Sequence, residues 1–244
     1  MENKIVLVTG SSKGIGAATI KEFAKNGYNV VINYNNSVNE ASELEEYILK
    51  KYDVEVLKIK CDITKENEVQ DMVKTIIDNF GHIDVLVNNA GIAIDTLVED
   101  KTVNDFNKII NTNLIGPFIC SRECYKYMDK NSSIIMVTSN TGIDTYYPYS
   151  LDYDASKAGL ISLMHNLAVE YSPKVRVNAV APGWVSTEMN KNLDEEYIDE
   201  ECKNILLKRF AEPEEIASVI CFLASDKASF INNEVIRVDG GQRC

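Results

Sequence analysis

Tyr153 and Lys157 stand four residues apart in Tyr153-Asp154-Ala155-Ser156-Lys157, a spacing that on a helix stacks a phenol and an ammonium on one face. A free phenol ionises near pH ~10, and a cation within roughly 4 to 6 Å lowers such a value by about 1 to 3 units. The pair then makes a proton donor suited to reduction. An ordinary half-exposed helix face is the competing reading in a chain with 12 tyrosines. Position favours chemistry, because Ser139 lies fourteen residues upstream and closes the apolar run Ile134-Ile135-Met136-Val137-Thr138. That run has the β-branched content of a buried strand, and strand ends in open α/β sheets are where ligands bind.

Strand-like runs at 4–9, 29–34, 54–60, 84–88, 133–139, 175–181 and 234–238 alternate with helix-length segments. The alternation predicts a doubly wound α/β fold of Rossmann type, a seven-stranded parallel sheet with helices on both faces. A chain of 244 residues fits one such domain over 1–244, with no linker or repeat to divide it. Ser37-x-x-Glu40 reads as a capping box opening the second helix, and Pro213 with Glu214 and Glu215 as the first turn of a late one. The stretch 185–208 carries seven acids against Lys191, Lys203 and Lys208. Its length and position past a strand end predict a lid over the site; a solvated helical hairpin is the alternative.

The first strand runs into Gly10-Ser11-Ser12-Lys13-Gly14-Ile15-Gly16. Glycines there allow a tight turn and close approach of backbone to a pyrophosphate, met by the N–H groups of a helix start. The spacing is one residue longer than the usual dinucleotide fingerprint.

A net charge of -12 disfavours a nucleic acid or an anionic membrane as partner. No apolar run reaches membrane-spanning length, and Met1-Glu2-Asn3-Lys4 leads straight into a strand, so a cytoplasmic protein is expected. The six cysteines form no Cys-x-x-Cys pair, and with only His82 and His165 available no catalytic metal is expected.

Taken with Cys61-Asp62-Ile63, Asn88-Asn89-Ala90-Gly91, Asn113-Leu114, Pro182-Gly183 and Val238-Asp239-Gly240-Gly241, these motifs resemble the short-chain dehydrogenase/reductase family. The likeness is to the compact branch that includes bacterial 3-oxoacyl carrier-protein reductases, and it spans nearly the whole chain. It implies a carbonyl reduced by hydride transfer, with Tyr153 as general acid and Lys157 lowering its pKa and holding the nicotinamide ribose. It further implies Ser139 on the carbonyl oxygen and Asn113 holding a water of a proton relay, although an amide in a helix can instead satisfy backbone groups. On the cofactor the resemblance places Asp62 and Ile63 at the adenine and Asn89, Ala90 and Gly91 at the adenine ribose and central sheet. Pro182, Gly183, Val185 and Thr187 are placed along the carboxamide and diphosphate. Asp62 also reads as a cap with Thr64, and Pro182-Gly183 as a plain turn.

An NAD site commonly offers an acid to the ribose near the end of the second strand. Here that strand ends Ile32-Asn33-Tyr34-Asn35-Asn36-Ser37, with no acid until Glu40. Asn33 and Tyr34 are thus candidate cofactor neighbours, Ser12 and Lys13 would hold an extra phosphate, and NADP(H) is expected. Tyr146, Tyr147, Tyr149 and Leu151 could wall an apolar substrate pocket or serve subunit packing. An acyl, steroid or sugar-like carbonyl would fit, while the acidic 185–208 stretch weakens docking of an acidic carrier protein. Arg122, Tyr125, Leu160, Leu163, Met164 and Leu167 resemble the family's dimer helices, with core packing as the alternative. A homodimer or homotetramer is expected, the 235–244 tail joining a second interface. Competing functions are an alcohol, sugar or hydroxysteroid dehydrogenase and a nucleotide sensor without catalysis.

Overall fold

The computed structural model describes residues 3–188, 190 and 193–242. Lys191, expected in the lid, and the last two residues of the tail lie outside it. Seven parallel strands run in the order β3-β2-β1-β4-β5-β6-β7. They are β1 (Ile5–Val8), β2 (Asn29–Tyr34), β3 (Val56–Lys60), β4 (Val85–Asn88), β5 (Ser132–Val137), β6 (Val175–Pro182) and β7 (Val235–Val238). Each falls within a residue or two of its sequence-derived run; β1 and β4, buried at every position, are wholly or almost wholly apolar, while the edge strands β3 and β7 are only partly buried and admit Lys58, Lys60 and Arg237.

The helices are α1 (Gly14–Lys25), α2 (Val38–Lys51), α3 (Glu66–Phe80), α4 (Val103–Ile110), α5 (Gly116–Tyr125), α6 (Leu151–Tyr171), α7 (Glu195–Asn204) and α8 (Pro213–Ala224). One core layer sets α3, α5 and α6 against the sheet through residues such as Met72, Ile76, Cys120, Met136 and Met164. The other sets α1, α2 and α8 against the opposite face through Ile20, Phe23, Ile48, Ile135 and Ile220. Leu160, Met164 and Leu167 belong to the first core, and Leu163 packs against it; core packing accounts for these four candidate interface residues. Arg122 instead pairs with Glu123 at 2.9 Å and with Glu66, and Tyr125 stacks on Tyr171.

Two local readings resolve at helix starts. Ser37 precedes α2 without a side-chain capping bond, and Glu40 reaches back to Lys13 at 2.6 Å; an ion pair has displaced the expected capping box. At α8 the box forms between Glu212 and Glu215, with Pro213 in the first turn. Asn233 adopts φ of 67°, the positive value an asparagine turn tolerates. Among the described residues no helix is long and apolar enough to cross a membrane, and no cluster of metal-ligating side chains occurs.

Strand order reverses between β1 and β4, which pair directly. Loops leaving these strands diverge, opening a crevice at the strand ends.

Candidate active site

That crevice is a cleft of about 960 Å³ bordered by the loops after β1, β2, β4, β5 and β6. Gly10, Lys13, Gly14, Ile15 and Gly16 line one end, and Ser139, Tyr153 and Lys157 line it deeper in.

The glycine loop is shaped by close approach. Gly10 has φ of +61°, and a Cβ there would lie 2.8 Å from Ala90 Cα. A Cβ on Gly16 would meet Asn89 Nδ2 at 2.6 Å and the Gly10 carbonyl at 2.7 Å. Thr9 joins the two loops, because its hydroxyl accepts from Asn89 N at 3.0 Å and Ala90 N at 3.1 Å. Asn89 Nδ2 returns bonds to the Thr9 and Gly10 carbonyls at 2.9 and 3.0 Å. Helix α1 then begins with no capping side chain and no acid in its first turn. Unsatisfied N–H groups at such a start suit a phosphate, so the residues present fit a dinucleotide.

Several candidate cofactor residues hold the protein instead. Asn33 is 1 % exposed; its Oδ1 accepts from Gly10 N at 3.0 Å and its Nδ2 donates to the Cys61 carbonyl at 3.1 Å. It therefore shapes the glycine loop while bordering the cleft. Tyr34 packs against the α1/α2 core and does not border the cleft. Ser12 does not border it either, because the backbone turns its neighbour Ser11 inward to Asn33. Asp62, with Ile63, does line it, and Asp62 Oδ1 accepts from Thr64 N and Oγ1 at 3.0 and 2.8 Å. Asp62 thus closes a side-chain turn ahead of α3, whose cap position is Lys65, while keeping its place on the wall. Gly91, Pro182, Gly183, Val185 and Thr187 border the cleft as expected.

Tyr153 and Lys157 share one face of α6, with Lys157 Nζ 5.4 Å from the Tyr153 ring centroid. Their electrostatics differ from the sequence expectation. Burial pushes the Tyr153 phenol up to about 12, with Ser139 as the hydrogen-bonding group that opposes it. Lys157 Nζ donates to the Val137 carbonyl at 2.9 Å, and burial lowers it to about 8. Desolvation is the leading cause of both shifts, so the phenol stays protonated.

Ser139 is held by its neighbour. Thr141 donates to Ser139 Oγ through its backbone N at 3.3 Å and through Oγ1 at 3.0 Å. The single proton of the Thr141 hydroxyl is shared with the Asp154 carboxylate, and Ser139 Oγ lies 3.4 Å from Asn140 Oδ1.

Asn113 departs further from expectation. It sits in a π-helical turn, Asn111–Ile115, between α4 and α5, a feature common at functional sites. Its Oδ1 accepts from Ile92 N and its Nδ2 donates to the Ile92 carbonyl, both at 2.9 Å, and to Ser156 Oγ at 3.1 Å. These bonds engage both Nδ2 hydrogens and one of the two acceptor sites of Oδ1. The amide clamps the loop after β4 to α6, which is a positioning role.

Sequence reasoning missed Asn140, Trp184, Glu201 and Gln242. Of the three loop tyrosines only Tyr147 turns inward; Tyr146 and Tyr149 are exposed. Tyr147 meets Glu201 of α7 at 2.9 Å, Trp184 Nε1 at 2.9 Å and Gln242 Nε2 at 2.8 Å. No local spacing marks these residues, since they converge from separate segments. Helix α7, inside the stretch expected as a lid, has no fully buried residue.

A family model described as Enoyl-(Acyl carrier protein) reductase matches residues 10–243. The chain is 40% identical over 242 residues to 3-oxoacyl-[acyl-carrier-protein] reductase FabG of Staphylococcus epidermidis, covering 98% of both chains. It is 33% identical to glucose 1-dehydrogenase 2 of Bacillus subtilis, covering 99% of this chain and 95% of that one. A solved short-chain dehydrogenase/reductase from Serratia marcescens superposes with a TM-score of 0.94 at 30% identity, covering 98% of both chains.

Proposed function

We propose that this chain, which belongs to the short-chain dehydrogenase/reductase family, reduces a carbonyl to an alcohol with NADPH. The observation that carries the reading is the convergence of Ser139, Tyr153 and Lys157 in one cleft with an uncapped helix start at its other end. When bound, the nicotinamide supplies the hydride. Tyr153, kept protonated by burial, gives its proton to the carbonyl oxygen as charge develops there. Ser139, oriented by Thr141, donates a hydrogen bond to the same oxygen. Lys157, partnered in the free protein by the Val137 carbonyl, would turn to the nicotinamide ribose and supply positive charge beside the phenol.

The preference for NADPH rests on Lys13, half-exposed on the rim, and on the lack of an acid at the end of β2. A 3-oxoacyl thioester is the substrate suggested by the FabG relatives, and a sugar-like alcohol oxidised in the reverse direction by the glucose dehydrogenase. The stretch 185–208 acts as a lid in this reading, held through Glu201. Homo-oligomeric assembly and a cytoplasmic setting belong with it on the family resemblance.

The test is Tyr153→Phe assayed by NADPH absorbance across thioesters, sugars and diketones. Loss of about 10²-fold or more in kcat, with nucleotide binding retained, is expected for removal of a general acid. A variant as active as the parent refutes the assignment of Tyr153, and a parent that binds NADPH but turns over no carbonyl in the panel favours a nucleotide sensor.

A further inference from the structure

The substrate end of the cleft is walled by one connected set of polar side chains. Asn140 Nδ2 donates to Gln242 Oε1 at 2.8 Å, and Gln242 Nε2 donates to the Tyr147 hydroxyl at 2.8 Å. Trp184 Nε1 points at that hydroxyl and at Glu201 Oε2, both at 2.9 Å, and Tyr147 gives its own proton to Glu201 at 2.9 Å. Tyr147 is thereby saturated as donor and acceptor. Trp184 is fixed as well, stacked on Phe210 with centroids 5.3 Å apart and edge-on to Tyr147. The wall is rigid.

Among the described residues, two donors are left over. A primary amide carries two N–H groups, and Asn140 and Gln242 each use one within the network. Both side chains are nearly buried, at 3% and 8% exposure, and both border the cleft next to Ser139. A buried N–H left without an acceptor costs more than a formed bond returns, so these two favour a ligand that brings an oxygen to them. An aliphatic chain laid along the same wall would bury them unpaired.

Charge narrows the class. Asp95 borders the same end of the cleft, and Glu201 stands behind the wall. Lys101, in the loop that carries Asp95, is held at 3.0 Å by Asp152. A carboxylate or phosphate near the reacting carbon would therefore face acids, whereas a hydroxyl would not.

Building on the carbonyl-reduction reading above, we propose that the Asn140–Gln242 amide pair selects a compact, uncharged carbonyl compound with a second oxygen beside the reacting carbon. A hydroxyketone or keto sugar is such a compound; a long-chain acyl thioester is not.

The experiment compares hydroxyacetone with butanone, matched in heavy-atom count, and with a 3-oxodecanoyl thioester, using the purified full chain and NADPH. Hydroxyacetone should exceed butanone in kcat/KM by about tenfold, the worth of one satisfied hydrogen bond, and should exceed the thioester too. Gln242→Leu should bring the two ketones to within about twofold of each other; if that variant does not fold, Asn140→Val reads the same donor pair. Equal efficiencies for the two ketones, a preference for the thioester, or a hydroxyacetone preference that survives the substitution overturns this inference and leaves carbonyl reduction standing. No turnover of any carbonyl overturns both.

Discussion

Lys157 should make the cofactor-free protein gain stability as pH rises above neutrality, and Lys157→Met should erase that gain. The side chain is 4% exposed and its Nζ has one neutral partner, the Val137 carbonyl. Burial lowers its pKa from 10.5 to about 8. At about 1.4 kcal/mol per unit, keeping this ammonium charged below pH 8 costs the fold about 3 kcal/mol. Between the two values the unfolded chain holds the proton more tightly than the folded one, so stability increases with pH in that window. Below about 8 both states are protonated and the full cost stands. Integrating from about pH 7 to about pH 9.5 recovers about 2 kcal/mol.

Other groups titrate in the same range, so the quantity to read is the difference between parent and variant. Lys157→Met keeps a similar stem and removes the charge, although it leaves the Val137 carbonyl without its donor, a penalty of about 1 to 3 kcal/mol that does not vary with pH. Urea unfolding can be followed by fluorescence of Trp184, the one tryptophan in the chain. The parent should gain about 2 kcal/mol relative to the variant across that interval. Parallel pH profiles for the two chains refute the claim that Lys157 is charged and desolvated in the free protein, and with it the account of why the phenol stays protonated.

Lys13→Ala should weaken NADPH far more than NADH in fluorescence titrations, and equal losses refute the phosphate assignment. Glu40→Gln should do the opposite, tightening NADPH several-fold with little change for NADH, because Glu40 now occupies the Lys13 ammonium; no change in the ratio removes Glu40 from cofactor choice. Gly16→Ala should cost about 1 to 3 kcal/mol and nucleotide affinity together, since the added methyl meets the Gly10 carbonyl at 2.7 Å; a variant with parental melting and binding contradicts the close approach. Glu201→Ala should free α7, raising KM more than it lowers kcat and speeding proteolysis within 193–208, and unaltered cleavage there argues against a latch on the lid.

Features legible in the sequence are those that a short stretch specifies. The central strands announce themselves because they are buried on both faces, and the pairing of Tyr153 with Lys157 follows from one helical turn. The glycine loop after β1 is equally local, as are Pro213 and the first turn of α8. The bonds that tie Ser11 to Asn33 across the loop, by contrast, join segments 22 positions apart.

Tertiary structure alone decided the rest. Asn140, Tyr147, Trp184, Glu201 and Gln242 come from four separate segments, and Asn140 reaches Gln242 across 102 positions of chain. Asn113 is tied by both ends of its amide to Ile92, a contact across 21 positions that no local spacing announces. The direction of the Tyr153 shift is of the same kind. Spacing places an ammonium near a phenol, but the surrounding packing decides how much water remains around each, and in this cleft loss of water is the leading cause of both shifts. Periodicity and turn chemistry act over a few residues and can be read along the chain, whereas desolvation and convergent hydrogen bonding depend on distances that only the folded chain defines.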